Sequence, residues 1–241
     1  MKKTSKLMFV LASVFAASGV CQAQTTDLIS KPSFSPRANG NSQYPAISAN
    51  GRFVVFQSDA RNLVPSDHNS NADIFLYDYR TGLIEMISLN QSGLPGNSYS
   101  FEAEVSGDGR YVVFESDATD LVPNDTNGAI DIFVRDRQAG TTQRASVSTL
   151  GVEADRDCYS PTISGDGRFV AFQTKSGNLV AGDTDQNSDV FTHDLQSGVT
   201  EMVSLNYFGG QVSGECYNPS LSASGQFIAF DTFEALVLGD V

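Results

Sequence analysis

Ser106-Gly-Asp-Gly-Arg-Tyr-Val-Val-Phe114 decides how this chain folds, because it is one of four copies. Ser48-Ala-Asn-Gly-Arg-Phe-Val-Val-Phe56 precedes it. Ser164-Gly-Asp-Gly-Arg-Phe-Val-Ala-Phe172 and Ser222-Ala-Ser-Gly-Gln-Phe-Ile-Ala-Phe230 follow. The first serine recurs every 58 residues. Such a period marks a repeat architecture, in which each unit buries an apolar face against its neighbour.

Around this stretch each repeat reads as four strands, a to d. In the second repeat a short strand over 103–106 meets Asp108-Gly109, and Asn50-Gly51 and Asp166-Gly167 are its counterparts. These pairs predict a tight type I′ hairpin, whose two central residues need positive φ. Strand b, over 110–116, is apolar on both faces and so is covered on both sides. Strand c spans 132–136 and ends at the turn Arg137-Gln-Ala-Gly140. Strand d, over 141–147, alternates with more polar residues, as a half-exposed outer strand does. No helical periodicity of useful length follows the N-terminal leader.

Tandem four-stranded antiparallel units make an all-β protein, a β-propeller. Independent β-sandwiches need about 100 residues each. The blades are expected at about 42–90, 100–148 and 158–206, with half of a fourth at about 216–241. The long connections, b to c through Leu121-Val-Pro-Asn-Asp125 and d to a through 91–98, emerge on one face. A ligand site is expected there or at the mouth of the central channel, since binding residues favour long loops on a rigid scaffold.

Both ends of the chain interrupt the repeat. Leu28-Ile29-Ser30 lies one period before Met86-Ile87-Ser88, so residues 26–31 read as an outer strand without its own blade. In a closed ring it would complete the last blade. The C-terminal copy stops before strand c. About three and a half blades are expected to belong to a ring of six or more, supplied by a longer chain or by a second copy.

Residues 1–23 have the pattern of a signal peptide: Lys2, Lys3 and Lys6, an apolar run from Leu7 to Val20, then Cys21-Gln22-Ala23. The run is too short for a spanning helix, and no later stretch would cross a bilayer. The expected location is the periplasm or the exterior. Without the leader, 12 basic residues face 28 acidic ones, a net charge of −16. That field disfavours nucleic acid as a partner.

The repeat Ser-x-Asp-Gly-Arg-Tyr-Val-Val-Phe, then Asp-Ile-Phe-Val-x-Asp, then Gly, resembles the WD40-like repeat of bacterial TolB-type propellers. The resemblance covers nearly all of residues 26–241. It implies an exported propeller that binds protein partners. Similar propellers also precede catalytic domains in prolyl-oligopeptidase-like peptidases. The chain has no Trp and so lacks the Trp-Asp signature of eukaryotic WD repeats.

The one cofactor the sequence raises is calcium. Asp183, Asp185, Asn187 and Asp189 place oxygen side chains at positions 1, 3, 5 and 7 of the third b–c loop. Asp67, Asn69, Asn71 and Asp73 do so in the first loop, and Asp125, Asn127 and Asp131 in part in the second. This spacing resembles the start of an EF-hand loop. Against it, position 6 is Ala72, Ile130 or Ser188 rather than Gly. The next carboxylate, Asp78, Asp136 or Asp194, lies across about 16 Å of strand. Asx-turns account for the same residues without a metal.

Cys158 and Cys216 share one slot in neighbouring repeats, filled by Ser42 and Ser100 elsewhere, and an oxidising compartment permits a bridge between them. His68 and His193 read as surface residues. No Gly-x-Ser-x-Gly elbow and no zinc spacing occur, so the chain is expected to contain no catalytic site. The expected function is a non-enzymatic scaffold that binds an envelope protein or a glycan. The alternatives are the propeller part of a larger exported hydrolase or lyase, and a calcium-stabilised structural repeat protein.

Overall fold

The computed structural model describes residues 11–15, 23–32, 34, 37–234 and 236, with the backbone alone for 11–15 and 23–26. Most of the leader therefore lies outside the described residues. Leu11–Phe15 (β1) pairs antiparallel with Ala23–Leu28 (β2) in a two-stranded sheet apart from the blades, so the first residues of the segment read as an outer strand without its own blade lie in β2. The period still holds beyond it. Ile29 is buried against Val54, Phe56 and Phe75 of the first blade, as Ile87 is against the second.

The first blade is Ser42–Ile47 (β3), Phe53–Ser58 (β4), Asp73–Asp78 (β5) and Leu83–Met86 (β6), paired in that order. The second is Ser100–Val105 (β7), Tyr111–Ser116 (β8), Asp131–Asp136 (β9) and Thr141–Arg144 (β10). The third is Cys158–Ile163 (β11), Phe169–Thr174 (β12), Asp189–Asp194 (β13) and Thr200–Met202 (β14). Cys216–Leu221 (β15) and Ile228–Thr232 (β16) form a two-stranded sheet after it. The first strands of successive blades neighbour one another, which places β3, β7, β11 and β15 innermost.

Burial follows the apolar pattern. Every residue of β4 is buried, whereas β6 alternates. The core is a series of layers between sheets. One layer joins Phe53, Val55 and Leu76 of the first blade to Ala103, Val112 and Phe114 of the second. Paired rings Phe56–Phe75, Phe114–Phe133 and Phe172–Phe191 repeat inside the blades, each with centroids 6.0 Å apart. A fully buried Phe stabilises the fold by about 1.5–3 kcal/mol. The long loops are pinned to these layers: Leu63, Leu121 and Leu179 of the Leu-Val segments are all buried.

The hairpin turns differ from the expected type I′. Gly51, Gly109 and Gly167 have φ of 69°, 81° and 74°, but Asn50, Asp108 and Asp166 are not left-handed. The Gly109 N–H closes the turn on Ser106 O at 2.9 Å. This is a turn of type I geometry followed by a left-handed Gly. The Asp side chain explains the preference. Asp108 Oδ1 accepts from Ser106 Oγ at 2.8 Å and from the Arg110 N–H at 2.9 Å, an Asx-turn that needs no positive φ at Asp.

Other features of the repeat are also scaffold. Arg110 makes a two-pronged pair with Asp136 and lies 4.7 Å from the Tyr111 ring centroid. Arg52–Asp78 and Arg168–Asp194 repeat the pair. Strand a is longer than expected, because a bulge hides its first half. The d–a connections close as small hairpins, with bridges at Leu89–Pro95, Val147–Glu153 and Leu205–Gln211.

Candidate functional site

Two regions of the long-loop face carry side chains that the scaffold does not consume. The first is the channel mouth. Tyr44, Glu102, Ser160 and Asn218 occupy one slot in the four innermost strands, at φ of 51°, 21°, 53° and 51°. Left-handed non-Gly residues are uncommon, and four at equivalent positions define a built feature. At two of the four, a side chain of the preceding blade holds the backbone N–H. The Ser160 N–H donates to Glu115 Oε1 at 2.6 Å, and the Asn218 N–H donates to Gln173 Oε1 at 2.6 Å. Each acceptor is a strand-b side chain of the preceding blade.

With Pro45, Pro161 and Pro219 beside them, these residues line a cleft of about 380 Å³. Tyr44 is half exposed. Glu104 crosses the cleft floor, accepting from Thr162 Oγ1 at 2.8 Å. Glu115 is buried beneath it, and burial pushes its carboxyl up to about 7. The cleft thus offers an aromatic ring, carboxylates, a hydroxyl and an amide. At the tips of the d–a hairpins, Leu94, Leu150, Val152, Tyr207 and Phe208 are exposed apolar side chains on the same face.

The second region is the b–c loops, where the sequence placed its calcium candidates. In the third loop the carboxylate oxygens of Asp183, Asp185 and Asp189 lie within 4.8 Å of one another. Asn187 is tied to this group and to the next hairpin. Its N–H donates to Asp185 Oδ1 at 2.9 Å, and its side chain donates to Ser213 O at 2.7 Å. In the second loop a guanidinium takes the place expected for a metal. Arg144 pairs with Asp125, Asp131 and Glu153 at 3.2, 2.9 and 2.8 Å. Asn127 donates to Asp131 Oδ2 there at 2.8 Å. In the first loop Asn69 Oδ1 accepts from the Asn71 N–H at 2.9 Å, an Asx-turn, while Asp67 and Asp73 are buried.

Two further expectations are corrected. Cys158 and Cys216 are not bridged; each is a buried free thiol. Cys158 packs between the second and third blades with Val113 and Ile132, and Cys216 packs beyond the third with Val190 and Val212. A whole sheet separates the two layers. His193 is not a surface residue but is buried, its Nδ1 2.8 Å from Thr200 Oγ1. Burial lowers its pKa, against an opposing pull from Asp194. Arg135 makes the equivalent bond to Thr142, so this position ties strand c to strand d.

Among the described residues, the blade geometry, inner strands and inter-blade cores define a β-propeller fold with three four-stranded blades, followed by the two-stranded sheet β15–β16. No known family model matches the chain, and neither does any curated protein sequence. Among solved structures it is similar to putative TolB from Agrobacterium tumefaciens, at 19% identity and a TM-score of 0.51, over 88% of this chain and 64% of that one. It is similar to TolB from Acinetobacter baumannii at 20% identity and a TM-score of 0.49, over 85% of this chain and 39% of that one. It is similar to Porphyromonas gingivalis dipeptidyl peptidase 4 at 16% identity and a TM-score of 0.50, over 88% of this chain and 32% of that one. The fold is the TolB-like β-propeller. The chain spans less than two thirds of each of these structures.

Proposed function

We propose that this chain is the propeller scaffold of an exported binding protein, and that it takes a protein segment or a glycan at the channel mouth. The observation that carries this reading is the Tyr44/Glu102/Ser160/Asn218 slot. Its backbone is fixed by the repeat while its side chains differ in every blade. Scaffold residues such as the Ser-x-Asp-Gly-Arg turn repeat, because the same job recurs; a recognition surface presents different groups to one ligand. Polar groups around one exposed aromatic ring suit a sugar face or a peptide backbone. Export is inferred from the leader pattern, and the acidic charge favours basic or neutral partners over nucleic acid.

Binding of the chain to a glycan array and to envelope proteins separated on a membrane tests the reading. Tyr44→Ala and Glu102→Ala should each weaken the interaction at least tenfold with unchanged melting. Binding that survives both substitutions would place the ligand elsewhere. A second reading, the propeller part of a larger exported hydrolase, rests on the similarity to dipeptidyl peptidase 4. Labelling of the natural protein by an active-site serine probe would favour it.

A further inference from the structure

The first and last carboxylates of each b–c loop flank one slot, and the blades treat it differently. In blade 2 Arg144 Nη1 lies 3.2 Å from Asp125 Oδ1 and 2.9 Å from Asp131 Oδ2. In blade 3 Gln211 Nε2 donates to Asp183 Oδ1 and to Asp189 Oδ2, at 2.9 Å each. That amide is held in orientation, since its Oε1 accepts from the Thr184 N–H at 3.0 Å and from the Thr184 hydroxyl at 3.1 Å. A positive or donating group therefore bridges the same two oxygens in both blades.

One period earlier, those oxygens are Asp67 Oδ1 and Asp73 Oδ2. Both are buried without a hydrogen-bond partner. Asp67 is 7% exposed and Asp73 is 0% exposed. Met86 stands at the position of Arg144, and Pro95 at that of Gln211. Neither side chain has a proton to donate. The Asn69 N–H, Arg61 and His68 all come near the Asp67 carboxylate, yet none bonds Oδ1. The other oxygen of Asp73 is satisfied by Ser88 Oγ at 2.6 Å, which fixes Oδ2 toward the slot. The Asn69 side-chain amide also acts on the Asp73 carboxylate, but without a hydrogen bond to Oδ2. Two buried, unpartnered carboxylate oxygens are costly unless a counter-charge joins them.

We propose that blade 1 binds a divalent cation between Asp67 Oδ1 and Asp73 Oδ2, in the slot that blade 2 fills with a guanidinium and blade 3 with an amide. The donors are oxygens and their charge is −2, which selects a hard dication. Calcium fits best, because it accepts irregular geometry and completes its shell with backbone carbonyls and water.

Thermal unfolding of the whole chain at pH 7.5, in chelator and then in excess calcium chloride, tests this. Calcium should raise the Tm by roughly 5–10 °C, the shift expected for a ligand at about a hundred times its Kd. Calorimetric titration should give one ion per chain. Met86→Arg should raise the Tm in chelator and abolish the calcium shift. Asp183→Asn should keep the shift. If Asp73→Asn fails to fold, the Met86→Arg result stands alone. No calcium shift in the parent chain overturns the proposal. So does a shift that survives Met86→Arg, or one that Asp183→Asn removes.

Discussion

Gly109 shows how closely the repeat is fitted. Its φ of 81° suits glycine, and an added Cβ would sit 1.9 Å from Phe53 Cδ2 of the preceding blade. Gly51 has a φ of 69° but nothing within 4 Å of its would-be Cβ. Gly109→Ala should therefore cost about 2–4 kcal/mol, from strain and overpacking together. Gly51→Ala should cost about 1 kcal/mol, from strain alone. Denaturant unfolding of the two variants checks the difference; equal losses would mean that Phe53 does not lean on the glycine. Glu115 makes a second case. Burial raises its folded pKa to about 7, above the ordinary carboxylate value. Its contribution is full below about pH 4.5 and is lost as pH rises through about 7. Glu115→Gln, which copies Gln173 of the next blade, should remove that slope and stabilise the chain at pH 8 by on the order of 1–3 kcal/mol. Melting temperatures from pH 5 to 8 would show it, and an unaltered slope would contradict it.

At the scale of elements, the end of each outer strand is latched to the start of strand c. Ser204 Oγ donates to Asp189 Oδ1 at 2.6 Å and accepts from the Val190 N–H at 3.1 Å. Ser88 with Asp73, and Ser146 with Asp131, repeat the latch. Ser204→Ala would leave a buried N–H and a buried carboxylate oxygen short of partners, so it should cost about 1–3 kcal/mol. Equilibrium unfolding measures this, and a neutral result would dissolve the latch. The strands themselves were legible in the sequence, because period and apolar runs report burial directly. The bulge in strand a was not legible, since a left-handed Ser160 breaks the alternation and the acceptor of its N–H, Glu115 on the preceding blade, is remote in sequence. Asp-Gly suits two turn types, and only the Asx hydrogen bonds decide between them. Of the candidate site, the Asp/Asn loops were visible as a motif. Their differences were not, because Arg144 and Gln211 reach the slot from strand d and from the d–a hairpin.

At the scale of the whole molecule, the repeat builds one concave line of inner strands and one face of long loops. The tight-turn end is tied by backbone bonds from blade to blade, Gly107 N–H to Gly165 O at 2.8 Å and Gly165 N–H to Ala223 O at 2.9 Å. That end is scaffold. The opposite end carries the varied slot, the apolar hairpin tips and the acidic loops. The most direct test of the binding role is photocrosslinking in the producing cell. A diazirine amino acid replaces Tyr44, Glu102, Ser160 or Asn218 in turn, with Leu83 of the first blade's outer strand as control. The account predicts one discrete adduct, the same protein or glycan, from at least two of the four channel positions and none from Leu83. No adduct at any channel position, or equal labelling at Leu83, would contradict it.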